Sequence, residues 1–425
     1  MATSVLEVIF QLAIILLFAK VFGLVARRLG LPEVVGNIVA GLLFGMAIWG
    51  LIPGVKESNF ILPIRENEML QVFAKIGVLL ILFKAGLETD LNAMKSLGVK
   101  SLIIAMGGVI LPLLFGFLLG MWLLPQYDWK TWIFIGTIMT ATSVGITVET
   151  LKALGKLNTK VGAIITSAAI LDDVIGMIVL TVVMSLSGSS STHNPVLQLI
   201  NPENLPIITI VWMFVFFIVA IAAGFVIVKL FKNISEHKAN VHRVPIYSLA
   251  ICFIYAFVAE NIFGVADITG AYFAGAILSV CHNTAEYADK KIDVGSYIIF
   301  SPVFFAYIGI QISFESFTGA VILVAILFVI FSILGKLLGC GGIAKMFGFN
   351  LKDSTRIGIG MIARGEVALA VTTAGISAGL IGTEYISMTV LLVLVSSVLA
   401  PIILKLLYKN DDTLPISWEG NTSNA

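Results

Sequence analysis

Ile164-Ile165-Thr166-Ser167-Ala168-Ala169-Ile170-Leu171-Asp172-Asp173-Val174-Ile175-Gly176-Met177-Ile178-Val179-Leu180 reads as a membrane span, except for the two adjacent carboxylates at its centre. A charged side chain at mid-bilayer costs roughly 2.5–3.5 kcal/mol even on the lenient insertion scale, so such a residue marks function by default. Neighbouring positions on a helix point about 100° apart. Asp172 and Asp173 therefore cannot meet one partner in the same way, and the pair asks for two different jobs.

The rest of the chain fits a membrane protein. Its residues are 59% hydrophobic and 12% charged, against about 25% charged in soluble domains, and the mean hydropathy is +1.04. Apolar runs near 20 residues recur from end to end, the signature of an all-α polytopic membrane protein. The alternation of a transmembrane barrel is absent. The first run, Val5 to Val25, lacks the basic flank and cleavage site of a signal peptide. Cys252, Cys281 and Cys340 lie far apart and suggest neither disulfides nor zinc. No cofactor is expected. A net charge of +1 gives no reason to expect nucleic acid.

Thirteen spans are expected, near 5–25, 34–52, 70–87, 101–124, 131–153, 161–186, 206–231, 244–263, 266–281, 295–312, 317–339, 355–378 and 385–407. Of the 26 Lys and Arg, eighteen fall after odd-numbered spans or in the tail, three fall on the other side and five lie within spans. The positive-inside rule then puts the N-terminus outside and the C-terminus in the cytoplasm. The loops 53–69 and 187–205 are too short for a soluble domain, and 408–425 reads as a short cytoplasmic tail. Residues 1–425 are thus expected to form a single integral membrane unit.

An internal repeat follows from two matches. Gly36-Asn37-Ile38-Val39-Ala40-Gly41 and Gly270-Ala271-Tyr272-Phe273-Ala274-Gly275 share G-x-x-x-A-G after an acidic residue, Glu33 or Asp267. Phe83-Lys84-Ala85-Gly86-Leu87-Glu88 resembles Ala306-Tyr307-Ile308-Gly309-Ile310-Gln311. Both matches imply a shift of seven spans. Seven is odd, so the copies face opposite ways, as in the inverted repeats of secondary transporters.

The same shift pairs the fifth span with the twelfth, and both are interrupted. The fifth carries Thr140-Ala141-Thr142-Ser143-Val144-Gly145-Ile146-Thr147, and the twelfth Gly358-Ile359-Gly360-Met361-Ile362-Ala363-Arg364-Gly365-Glu366. β-Branched, hydroxyl and glycine residues make poor continuous helices. Paired broken helices point to a binding site, where free carbonyls replace ion hydration. The candidate ion and proton site is therefore Asp172 and Asp173 beside these breaks, where a carboxylate can hold a proton or a small cation but not both. Lys336, in Gly335-Lys336-Leu337-Leu338-Gly339, either snorkels to the interface or supplies a counter-charge to one aspartate. Arg364 and Glu366 either neutralise each other or cap half-helix ends. Lys84 stands in the core of the third span.

Other classes fit less well. An intramembrane aspartyl protease needs aspartates facing each other from separate helices, whereas these share one helix. No channel filter is apparent. A sodium-coupled solute symporter would need a roomy organic pocket.

The chain resembles the monovalent cation:proton antiporter superfamily, in its bacterial sodium/proton branch (NapA- and NhaA-like). The resemblance rests on Leu31-Pro32-Glu33-Val34-Val35-Gly36, Phe83 to Glu88, Thr140 to Thr147, Leu171-Asp172-Asp173, Gly335-Lys336 and Ala363-Arg364-Gly365-Glu366-Val367, and covers nearly the whole chain. It implies a homodimer in the inner membrane. Core helices would lie near 70–186 and 295–378, and dimerisation helices near 5–52 and 206–281. The core would carry two crossed discontinuous helices and move as an elevator. Asp173 would carry proton or sodium, Asp172 would pair with Lys336 in an electrogenic exchanger, and Thr142 would be a candidate ligand. Thr140, Ser143, Gly145, Arg364, Gly365 and Glu366 would shape the breaks. Lys84 departs from the family pattern and is a candidate modulator of ion choice. Potassium is the alternative cation. Potassium efflux relatives append a nucleotide-binding domain that this chain is not expected to have.

Overall fold

The structure, a computed structural model, describes residues 5–29, 33–48, 68–88, 99–157, 159–186, 199–200, 206–236, 243–311 and 319–409. The ordered elements among the described residues are all helices, with no strand. Helices α1 (Val5–Arg28), α2 (Glu33–Ile48), α3 (Glu68–Leu87) and α4 (Val99–Leu123) come first. Next are α5 (Trp129–Thr140) and α6 (Val144–Ala153), then α7 (Lys160–Leu186) and α8 (Pro206–Glu236). Helix α9 (Val244–Val258) leads through a π turn into α10 (Asp267–Leu278). Two more π turns join α11 (His282–Gly295) to α12 (Ser301–Gln311), and α13 (Gly319–Lys336) to α14 (Gly342–Met346). The chain closes with α15 (Leu351–Gly360), α16 (Glu366–Ser377) and α17 (Glu384–Tyr408).

Nine helices among the described residues are long and apolar enough to cross a membrane by length and composition. That is fewer than the thirteen spans read from the sequence, for a local reason. Helices α2 and α10 are short, and two expected spans are each split, into α5 and α6 and into α15 and α16.

The repeat is visible in how glycines pack. A Cβ on Gly41 of α2 would strike the Ala306 carbonyl of α12, and one on Gly309 would strike Ile38. In the other copy, a Cβ on Gly275 of α10 would strike Phe83 of α3, and one on Gly86 would strike Tyr272. Under the alignment of Gly41 with Gly275 and Gly86 with Gly309, the two contacts of one copy are those of the other. Small residues let helix backbones touch and gain dispersion contacts that lipid cannot match. Any side chain at these positions would meet backbone rather than a movable group, so Gly→Val at any of the four would part the helices.

Packing sorts most helices into two groups. Helices α1, α2, α3, α9, α10, α11 and α12 pack among themselves, the glycine contacts joining α2 to α12 and α3 to α10. Helices α4 to α7 and α13 to α17 form the other group, around α4, which touches α5, α7 and α13. Helix α8 lies against both α7 and α10. The segments 68–87 and 301–311, expected with the core helices, thus sit against α10 and α2.

Candidate functional site

The two interrupted spans break at the expected residues and meet there. Helix α5 ends at Thr140, and Ala141–Ser143 are non-helical before α6. Helix α15 ends at Gly360, and α16 resumes at Glu366. The Ser143 N–H donates to the Ala363 carbonyl at 2.8 Å, and Thr147 Oγ1 donates to the Gly360 carbonyl at 2.7 Å. Orphan groups at helix ends need partners when buried, and here each break supplies them to the other. A Cβ on Gly365 would lie 2.9 Å from Ser143 Oγ, so a larger residue there would push on the Ser143 side chain. Gly145 lies in the first turn of α6.

Arg364 locks the crossing. It is fully buried, and its guanidinium donates to the carbonyls of Met139 at 2.5 Å, of Thr140 at 3.2 Å and of Ala141. It also reaches Ser332 Oγ at 3.1 Å and Thr142 Oγ1 at 3.2 Å. These carbonyls are the unsatisfied C-terminal end of α5, where the helix dipole favours a cation. Of the two expected roles for Arg364, the structure shows the cap and no pairing with Glu366. Its own backbone is held by α17, whose Ser396 Oγ accepts from Arg364 N at 3.0 Å and whose Ser397 Oγ donates to the Arg364 carbonyl at 2.9 Å. The sequence reading missed Ser332, Ser396 and Ser397. Their one signal is a hydroxyl inside an otherwise apolar run, and helix hydroxyls usually bond back to their own turn.

The two aspartates part as their spacing on α7 requires. Asp172 Oδ1 pairs with Lys336 Nζ at 2.6 Å, with the two side chains 1% and 0% exposed. Asp172 Oδ2 accepts from Thr142 Oγ1 at 2.6 Å. Lys336 does not snorkel, because the helix continues beyond it through the π turn to Met346 and buries the ammonium. A Cβ on Gly108 of α4 would collide with Cys340 Sγ beside this pair, so glycine makes room for it. Asp173 is half-buried, yet its Oδ1 is sealed and has no hydrogen-bond partner. A Cβ added at Gly176, three residues on, would meet nothing within 4 Å. One carboxylate is thus fully satisfied, and its neighbour keeps an oxygen without a hydrogen-bond partner.

Lys84 is held by carboxylates. Its ammonium is 2.5 Å from Asp293 Oδ1 on α11 and 3.9 Å from Glu88 Oε1. A part-exposed ion pair carries about 0.2–1 kcal/mol. Lys84→Leu should therefore shift apparent cation affinity by less than about tenfold, read from exchange rates against cation concentration. A larger shift would put the ammonium at the ion itself.

Comparison with known proteins agrees with this geometry. The family model described as "Sodium/hydrogen exchanger, transmembrane" matches residues 13–410. The chain is 34% identical over 400 residues to the Na(+)/H(+)-K(+) antiporter GerN of Bacillus cereus, covering 94% of this chain and 96% of that one. It is also 34% identical to the Na(+)/H(+) antiporter of Enterococcus hirae, covering 94% and 98%. Its fold is similar to that of the sodium proton antiporter MjNhaP1 from Methanocaldococcus jannaschii, with a TM-score of 0.65 at 20% identity over 94% and 96% of the two chains. These relatives are transporters, not enzymes. The chain belongs to the sodium/hydrogen exchanger family of membrane cation/proton antiporters.

Proposed function

We propose that the protein exchanges protons for sodium across the cell membrane, and that Asp173 carries either the proton or the ion. The observation that carries this reading is the contrast on α7. Asp172 is neutralised by Lys336 and hydrogen-bonded by Thr142, whereas Asp173 Oδ1 has no partner. A half-buried carboxylate with a sealed, unpartnered oxygen is costly to keep charged, so it takes a proton or a cation in turn. The hydroxyl of Thr142 is engaged between Arg364 and Asp172, which leaves its carbonyl as the candidate ion ligand.

In this reading the group of α4–α7 and α13–α17 moves past the α1–α3 and α9–α12 group as an elevator. The boundary differs from the sequence expectation at α3 and α12, because Gly86 and Gly309 fasten those helices to the stationary group. The apolar outer faces of α1 and α8, with Leu6, Leu17, Ile218 and Phe225 exposed, meet lipid and a second copy of the chain. Exchange is electrogenic if Lys336 takes part in the proton cycle. Potassium is the second reading, favoured by the name of GerN, which includes that ion.

The test is reconstitution into proteoliposomes with an imposed pH gradient, followed by sodium, potassium and lithium in turn. Sodium should collapse the gradient at the lowest concentration. No response to any of the three ions would overturn the assignment. The proposed orientation is checked separately. Cysteines at Thr3 and Ser423 should label from opposite sides, the N-terminus outside, and labelling of both from one side would contradict the odd span count.

A further inference from the structure

Two polar residues stand side by side in α17, Ser396 and Ser397, as Asp172 and Asp173 do in α7. The inverted repeat makes the two pairs counterparts. The shift of seven spans that pairs the broken fifth and twelfth spans also pairs the sixth with the thirteenth, and so α7 with α17. Leu171-Asp172-Asp173-Val174 then falls on Val395-Ser396-Ser397-Val398. Asp172 lies 30 residues beyond Thr142, its partner in the first break, and Ser396 lies 32 beyond Arg364, its partner in the second. Each copy sets a polar pair against its own break.

The two pairs differ in chemistry. An ionised carboxylate only accepts, whereas a serine hydroxyl both donates and accepts. Two serines can therefore hold both polar groups of one residue's backbone. Ser396 Oγ accepts from the Arg364 N–H at 3.0 Å and donates to the Val393 carbonyl at 3.4 Å, one turn back. Ser397 Oγ donates to the Arg364 carbonyl at 2.9 Å. Arg364 lies in the break, where no helix ladder takes up these groups. The serines are 0% and 3% exposed, so bulk water does not replace a bond that is lost.

The Arg364 backbone fixes where its side chain starts. The guanidinium reaches Thr142 Oγ1 at 3.2 Å, and Thr142 Oγ1 donates to Asp172 Oδ2 at 2.6 Å. The adjoining Ala363 carbonyl accepts from Ser143 N at 2.8 Å. A shift of the Arg364 peptide is thus passed to the fifth-span break by two routes.

We infer that Ser396 and Ser397 are positioning residues of the ion site. They hold the twelfth-span break in place, and through Arg364 and Ala363 they hold the fifth-span break, whose Thr142 carbonyl is the proposed ligand. The effect on exchange rests on the sodium/proton reading above; the coupling of the two breaks does not. A site whose ligands are already ordered binds without the cost of ordering them. All of these residues belong to one helix group, so the surfaces proposed to slide past each other are untouched. Loss of a serine hydroxyl therefore weakens ion binding and leaves the moving step alone.

The experiment compares Ser396→Ala and Ser397→Ala with Thr389→Ala. Thr389 is also fully buried on α17, and its hydroxyl bonds Thr372 Oγ1 of α16 at 2.9 Å, outside the break. Each variant loses one buried hydroxyl, and each should melt lower than the parent. Only the serine variants should raise the apparent KM for sodium, by about threefold to tenfold, what one neutral hydrogen bond is worth, with the maximal rate of exchange unchanged. Ser397→Thr keeps the hydroxyl and should restore the KM. Amide hydrogen exchange is the second readout. Both serine variants should lose protection at 139–147 and 358–366, and Thr389→Ala at neither. Parent-like KM values in both serine variants would overturn the inference. So would an equal rise in Thr389→Ala, unchanged protection at 139–147, or a Ser397→Thr protein that melts like the parent and keeps the raised KM. A parent protein inert to all three ions would sink the exchange reading instead, and protection at 139–147 would still decide the coupling.

Discussion

Asp173→Asn is expected to fold and insert like the parent protein and to exchange nothing. The amide has nearly the shape of the carboxylate, and Asp173 makes no ion pair whose loss would unfold the helix; its Oδ1 has no partner. The change is therefore stability-neutral or slightly favourable, since an unpaired buried acid is replaced by a neutral group. An amide cannot alternate between protonated and cation-bound states, so exchange should fall to the background of protein-free vesicles. The check is paired, with a melting curve for folding and pH-gradient dissipation in proteoliposomes for exchange. Substantial sodium-driven proton movement by this variant would remove Asp173 from the role.

Lys336→Gln is expected to damage stability first. Lys336 and Asp172 are both buried and 2.6 Å apart. Removing one member of such a pair costs about 3–5 kcal/mol, because the other charge is stranded. Part is recovered if the stranded Asp172 takes a proton. The double variant Lys336→Gln, Asp172→Asn should melt above the single variant, since no unpaired charge remains. Cation binding at Asp173 should persist in the single variant, and the dependence of exchange on membrane potential should weaken. Melting curves and transport with and without an imposed potential measure the two effects. A Lys336→Gln protein that melts like the parent and keeps full voltage sensitivity would contradict the pairing's proposed role.

Much of this was legible in the sequence because membranes penalise polar groups so heavily. Asp172, Asp173, Lys336 and Arg364 stood out as charges inside apolar runs. The breaks stood out because glycines and β-branched residues interrupt those runs. The repeat was legible because backbone contact demands glycine, and Gly41, Gly86, Gly275 and Gly309 leave a spaced pattern. Partner choice was less legible. Arg364 could have met Glu366 two residues away, yet the carbonyls of Met139, Thr140 and Ala141 won, since the bare end of α5 needs donors that water cannot supply. Lys84 found Asp293, some two hundred residues on, through a helix-helix contact that no local pattern encodes. Ser396 and Ser397 were hidden because a serine in an apolar helix looks the same whether it bonds its own turn or a neighbour's backbone. The placement of α3 and α12 depended on which face of each helix carries glycine, which span prediction ignores.

The central claim, that Asp173 holds a proton or a cation but never both, is tested most directly without transport. Sodium is added to the purified protein in weakly buffered solution, and the protons released are counted with a pH indicator. The account predicts saturable release from the parent protein and none from Asp173→Asn. Equal release from both, or sodium binding to the parent protein with no proton released, would contradict it.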